Sequence, residues 1–281
     1  MNQKTLFLRK GWFHTLVVGS ALFIFLAWVL RNTDSSSYVP TLIVLGAFVV
    51  PVSFVMYVYD REPGRDIPVS AVTLCFVGGG AIGVVLAGSL EYATLRGLGV
   101  PQMFGVGLIE ESAKLVFPLG VYLRGRYRSE ADGLIFGVAS GMGFAALESI
   151  GYGFRAFTLS HGSIGTVEAT LLVRGLMSPA GHAAWTGLVC AVAWRERERA
   201  GRPVVNAWVV AAFGVAALLH ALWDTFNTLT GPSLIEAIGV ELLSLGIAIL
   251  SLTLLLWLVR EAARPKTARP QGKPPSSVPL T

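Results

Sequence analysis

The sequence predicts an all-α, polytopic membrane protein, a transmembrane helical bundle of about eight spans. Three observations lead there. Of 281 residues, 53% are hydrophobic and only 14% charged, and the mean hydropathy is +0.64, well outside the range of soluble globular domains. Apolar runs of roughly 20 residues, the length that crosses about 30 Å of hydrocarbon, recur along most of the chain. Basic residues between the runs are abundant and scarce in alternation, as the positive-inside rule requires of loops on opposite membrane faces.

The runs fall at 12–30, 39–59, 69–90, 103–123, 131–154, 169–194, 204–229 and 234–259. The first follows Lys4, Arg9 and Lys10, like the front of a signal peptide. Its apolar stretch is too long for one and no small-residue cleavage site closes it, so it reads as a retained span. The second and third are almost wholly apolar, and Cys75 in the third, like Cys190 in the sixth, reads as a packing residue. The fourth contains "GLIEESAKLVFPLGVYL", a stretch of span length that holds Glu110, Glu111 and Lys114. Glu110 and Lys114 share a helix face, and Glu111 is rotated by about 100° from Glu110.

The fifth, "GFAALESIGYGF", places Glu148 four residues after Phe144 and four before Tyr152, so the three share a face. Gly137 and Gly141, with Gly143 beyond, have the small-residue spacing that lets a neighbouring backbone approach closely. In the sixth, "SPAGHAAWTG", Pro179 removes a backbone donor and loosens the helix just before His182. The seventh, "HALWDTFN", sets His220 and Asp224 four apart, with Asn227 continuing the face. Arg174 and Glu241, near corresponding ends of the sixth and eighth runs, are expected to form an interhelical pair.

Lys4, Arg9, Lys10, Arg61, Arg65, Arg124, Arg126, Arg128, Arg195, Arg197, Arg199, Arg202, Arg260 and the basic residues after it fall on one side, against Arg31, Arg96 and Arg155 on the other. Both termini are therefore expected to be cytoplasmic. The net charge of +5 is dispersed over short loops rather than gathered in a groove, so the partner is the lipid bilayer and no nucleic acid is expected. Residues 1–263 read as one integral-membrane domain, and 264–281, rich in Pro, Ser and charge, as a disordered cytoplasmic tail.

An ionisable side chain at the centre of a bilayer helix costs about 2.5–3.5 kcal/mol, so five of them scattered in lipid would cost on the order of 10 kcal/mol. Glu110, Glu111, Lys114, Glu148 and Asp224 are more economically placed around one shared, hydrated site. With the orientation above, Glu110 and Glu111 lie roughly 10 Å below the outer boundary, and Glu148, His220 and Asp224 come to similar depth. His182 lies nearer the midplane unless its helix tilts or starts late.

An acidic pair with a lysine (Glu110, Glu111, Lys114), a Phe-xxx-Glu (Phe144, Glu148), an isolated His182 and a His-xxx-Asp (His220, Asp224), on four successive spans, resembles the PrsW family of intramembrane proteases. That family is similar to the CAAX prenyl endopeptidases and the wider ABI family. The resemblance covers roughly 103–229, the expected catalytic core. The CAAX branch has Glu-Glu-xxx-Arg and Phe-xxx-His, whereas this chain has Lys114 one position earlier and Glu148 in place of histidine. Both departures favour PrsW. The resemblance implies a multi-pass protein of a bacterial plasma membrane that cuts a single-pass membrane protein, such as an anti-sigma factor, near the exterior face.

Peptide hydrolysis in a bilayer needs a held water, a base, and donors or a metal for the oxyanion. In a metal version His182, His220 and a carboxylate of Glu148 or Asp224 hold Zn²⁺, with Glu110 or Glu111 as base. In a metal-free version a glutamate activates water while His220 and Asp224 orient it or stabilise the oxyanion. Glu148 in place of histidine makes the site more acidic and tilts the balance toward a metal. Lys114 keeps one glutamate ionised, and Glu111 is preferred as base. Two other classes share parts of this pattern. A proton- or ion-coupled transporter also places carboxylates and histidines in spans, though no internal repeat is visible here. A non-catalytic scaffold would use the glycine faces alone, yet every motif position retains a chemically competent residue.

Overall fold

The computed structural model describes residues 10–33, 35–61, 66–95, 101–228 and 234–262. The tail expected at 264–281, and Lys4 and Arg9, lie outside the described residues. Among these the chain is helical throughout and has no strand: α1 (Gly11–Thr33), α2 (Val39–Arg61) after a short turn, α3 (Val69–Thr94), α4 (Pro101–Lys114), α5 (Val116–Arg124), α6 (Glu130–Leu159), α7 (Ile164–Met177), α8 (Ala184–Ala200), α9 (Ala207–Thr228) and α10 (Leu234–Ala262). Among the described residues, six helices are long and apolar enough to cross a membrane: α1, α2 with its preceding turn, α3, α6, α9 and the Gly239–Ala262 part of α10. Phe25, Trp28, Val85, Leu123 and Leu172 are exposed, an apolar exterior suited to lipid.

The fourth and sixth expected spans are each built from two helices rather than one, and proline is the reason both times. Pro118 has no N–H to give the carbonyl of Lys114. The hydroxyl of Ser140 on α6 donates to that carbonyl instead, at 2.5 Å, so the break after α4 is tied to the neighbouring helix. Pro179 likewise cannot serve Gly175, whose carbonyl accepts from Ser178 Oγ at 2.9 Å. Ala183 N–H then reaches back five residues to Ser178 O at 3.2 Å, closing a π-turn over Pro179–Ala183. On a regular helix His182 would lie about 80° around from Arg174. The extra residue taken up by the π-turn brings it back toward the Arg174 face.

Helix α6 is the hub. Its start is fixed by a capping box, with Ser129 and Asp132 bonding reciprocally, and 83% of its apolar stretch is buried. It packs chiefly on α3, α8 and α2. Glycine allows these contacts: a Cβ on Gly141 would lie 2.2 Å from the carbonyl oxygen of His182, and one on Gly143 1.8 Å from that of Phe76. The close approach expected of the fifth span therefore occurs on two of its faces, toward the π-turn and toward α3. Gly143→Ala is expected to lower stability by about 1–3 kcal/mol through overpacking, read as a lower melting temperature of the detergent-solubilised chain.

The main core lies around this hub, with Phe136, Met142, Trp185, Trp194 and Leu255 fully buried or nearly so. A second cluster, including Leu42, Ile43, Val167 and Leu171, joins α1, α2 and α7. Cys75 and Cys190 are buried free thiols, in keeping with packing roles.

Candidate active site

Helices α4 and α9 pack against each other and bring together the two ionisable motifs they carry. Lys114 is wholly buried and Glu111 equally so, while Glu110 and His220 are 7% and 2% exposed. Lys114 Nζ donates to Glu111 Oε1 at 2.8 Å and to Glu110 Oε2 at 3.1 Å. One lysine thus bridges both carboxylates, where the sequence suggested it would pair with one. Its ammonium also sits 4.4 Å from the ring centre of Phe144 on α6, a cation–π contact in a dry setting.

The imidazole of His220 is held from three sides. Nδ1 is 2.9 Å from Glu111 Oε1, and the ring stacks on Trp185 at 4.7 Å between centroids. Trp185 is itself anchored, Nε1 donating to Ser251 Oγ at 3.0 Å. A carboxylate opposite Nδ1 holds the proton on that nitrogen and leaves Nε2 as the exchanging one. Nε2 lies 3.4 Å from both Glu110 Oε2 and Asp224 Oδ2. Imidazole and carboxylate both accept, so a proton shared among these three groups is what makes the arrangement favourable.

Both oxygens of Glu111, preferred above as the base, are engaged: Oε1 faces Lys114 and His220, and Oε2 accepts from Thr186 Oγ1 at 3.1 Å. Glu110 is slightly more exposed than Glu111.

A second group adjoins on α6, α7 and the π-turn. Glu148 Oε2 accepts from Arg174 at 2.7 Å and lies 3.4 Å from His182 Nε2. The His182 ring is 5.8 Å from Phe144 and 5.7 Å from His220, centre to centre. His182, expected nearer the midplane, lies beside Glu148. Arg174, expected to pair with Glu241, is instead engaged by Glu148.

Glu110, Glu148 and His182 each place a ligand atom within 4.8 Å of the others'. Of the expected ligands His182, His220, Glu148 and Asp224, this group contains His182 and Glu148. Residue spacing along a helix fixes which groups share a face, but the pairing of faces across helices decides who shares an ion. Glu110 joins the trio, while His220 turns Nδ1 to Glu111 and stays with Asp224. The trio fits a cation: N and O donors suit Zn²⁺ and similar ions, and His182 Nδ1 is buried without a hydrogen-bond partner.

Four groups escaped the sequence reading. Arg174, Thr186 and Trp185 contact the site residues as described. Glu91 lies one position beyond the third apolar run, with Oε1 buried and unpartnered. A carboxylate at the edge of an otherwise apolar run was the available signal.

A multi-span helical bundle folded around a buried carboxylate, lysine and imidazole centre, with three N/O ligand atoms in reach of one ion, defines a membrane protein of metalloenzyme type. The chain belongs to the PrsW family intramembrane metalloproteases, whose family model matches residues 67–258. It is similar to Protease PrsW of Bacillus subtilis (strain 168), with 27% identity over 181 residues, 64% of this chain and 64% of that protein. The chain thus spans about 64% of the length of this curated relative. No solved structure matches.

Proposed function

We propose that this chain is an intramembrane endopeptidase that hydrolyses a peptide bond of a membrane-anchored protein. The observation that carries the reading is the convergence of Glu110, Glu148 and His182, within 4.8 Å by their ligand atoms, beside a buried Glu111–His220 pair in a chain of the PrsW family. Glu110, Glu148 and His182 would hold a divalent cation, Zn²⁺ being the ion their N/O chemistry suits, and such an ion would supply Lewis-acid polarisation of the scissile carbonyl and of a bound water.

The remaining chemistry belongs to the chain. Lys114 donates to both carboxylates of the acidic pair and offsets their charge. Glu111 fixes the tautomer and direction of His220, and Trp185 fixes its plane. As water adds to the carbonyl carbon, its proton passes to His220 Nε2. The same nitrogen, supported by Asp224, delivers a proton to the amide nitrogen as the C–N bond breaks.

The positive-inside distribution supports cytoplasmic termini and a centre in the outer half of a bacterial plasma membrane. That depth suits a single-pass substrate cut near its exterior boundary, an anti-sigma factor being the type suggested by the family resemblance. The order of the four motifs also supports kinship with the CAAX prenyl endopeptidases. A transporter would need a polar path to both faces, and Glu110, Glu111, Lys114, Glu148, His220 and Asp224 gather in one place.

Terminal-peptide proteomics on native-host membranes tests the reading, with wild type set against Glu148→Gln at equal protein level. New chain ends beside the exterior membrane boundary are expected in wild type only. Identical termini in both, under several envelope stresses and with both proteins folded, would sink it.

A further inference from the structure

We propose that Arg174 is a positioning residue that holds the Glu148 carboxylate toward the cation site. The proposal rests on the reading of Glu110, Glu148 and His182 as ligands to a divalent ion. Arg174 stands on α7, and none of the motifs that mark the site includes it.

Its guanidinium is fixed by three neighbours on one face of α6. One terminal nitrogen donates to Glu148 Oε2 at 2.7 Å, and Nε donates to Ser149 Oγ at 3.0 Å. The plane lies 3.8 Å from the ring centre of Tyr152. Glu148, Ser149 and Tyr152 lie within about one helical turn of one another, so the fork reads a single surface patch and has little freedom within it. Oε2 of Glu148, the oxygen Arg174 holds, is also the oxygen 3.4 Å from His182 Nε2. The guanidinium therefore sets the direction of the carboxylate that meets the imidazole.

The neighbouring charges give this a purpose. Among the described residues, two fixed cations, Lys114 and Arg174, contact the crowded carboxylates Glu110, Glu111 and Glu148, with Asp224 close by. Lys114 is committed to Glu110 and Glu111, which leaves Arg174 to neutralise Glu148. Without its guanidinium partner this carboxylate would be free to turn away from His182, which removes a ligand. The role resembles outer-shell partners in metal sites generally, whose loss weakens metal binding roughly 10–100-fold. Lysine keeps the charge but cannot span Glu148 and Ser149 with a planar fork.

The test is Co²⁺ titration of the purified full chain in detergent, followed by visible absorption and checked by Zn²⁺ competition. Melting of the cation-free protein serves as the control for folding. Arg174→Gln is expected to weaken Co²⁺ binding roughly 10–100-fold and to change the shape of the spectrum. Arg174→Lys should recover part of the loss, and Ser149→Ala should show a smaller loss in the same direction. In the Glu148→Gln background, Arg174→Gln should add nothing. Binding by Arg174→Gln as tight as wild type, or tighter, overturns the positioning role and leaves the cation site standing. If Arg174→Gln does not fold, unchanged affinity in both Arg174→Lys and Ser149→Ala overturns it equally. Wild type that binds neither ion removes the cation reading itself and this role with it.

Discussion

Replacing Lys114 with methionine is expected to destabilise the protein by about 3–5 kcal/mol, the usual cost of stranding buried charge. The expectation comes from burial and partnership together. Lys114 and Glu111 are both wholly enclosed, and Lys114 is the ammonium that faces both carboxylates of the pair. Removing it leaves two neighbouring carboxylates without the donor they share. Denaturation in detergent mixtures, monitored by Trp fluorescence, would measure the loss. The double variant Lys114→Met, Glu111→Gln should recover a large part of it, because one stranded charge goes with its partner. A Lys114→Met protein as stable as wild type would show that the pair is hydrated rather than buried.

The second large effect concerns rate. His220→Asn is expected to lower kcat roughly 10²–10⁴-fold, the range for loss of a positioned acid–base group, with little change in KM. Glu111→Gln should approach the same loss, because the amide no longer holds the proton on Nδ1 and the imidazole can take the wrong tautomer. The two variants should be far from additive, since they disable one unit. Steady-state cleavage of a reconstituted single-pass substrate would decide it. If Glu111→Gln were inert while His220→Asn were not, the orienting role given to Glu111 would be wrong.

Much of this centre was legible in the sequence because lipid makes stray charge costly. Glu110, Glu111, Lys114, Glu148, His220 and Asp224 stood out against apolar surroundings, and the four-residue spacings placed them on common faces. Positive loops and run lengths supplied the helices. What could not be read was the pairing between helices. The fork of Arg174 finds Glu148 rather than Glu241, Thr186 occupies the second oxygen of Glu111, and Trp185 covers His220. Each depends on rotations that no single-helix periodicity contains. The breaks at Pro118 and Pro179 were likewise hard to size. A proline predicts a missing bond, but only the tertiary neighbour, such as Ser140 for Lys114, reveals where the freed carbonyl goes.

The π-turn at Pro179–Ala183 gives chain length in this region a meaning of its own. Arg174 and His182 are separated by a count of residues that an uninterrupted helix could not use, because it would point them to different sides. Regularising the segment at its present length would make it locally more helical, while swinging the imidazole away from Glu148 by about 100°. A gain in helical order would thus come with the loss of a ligand. In this segment the number of residues is as much a part of the site as their chemistry.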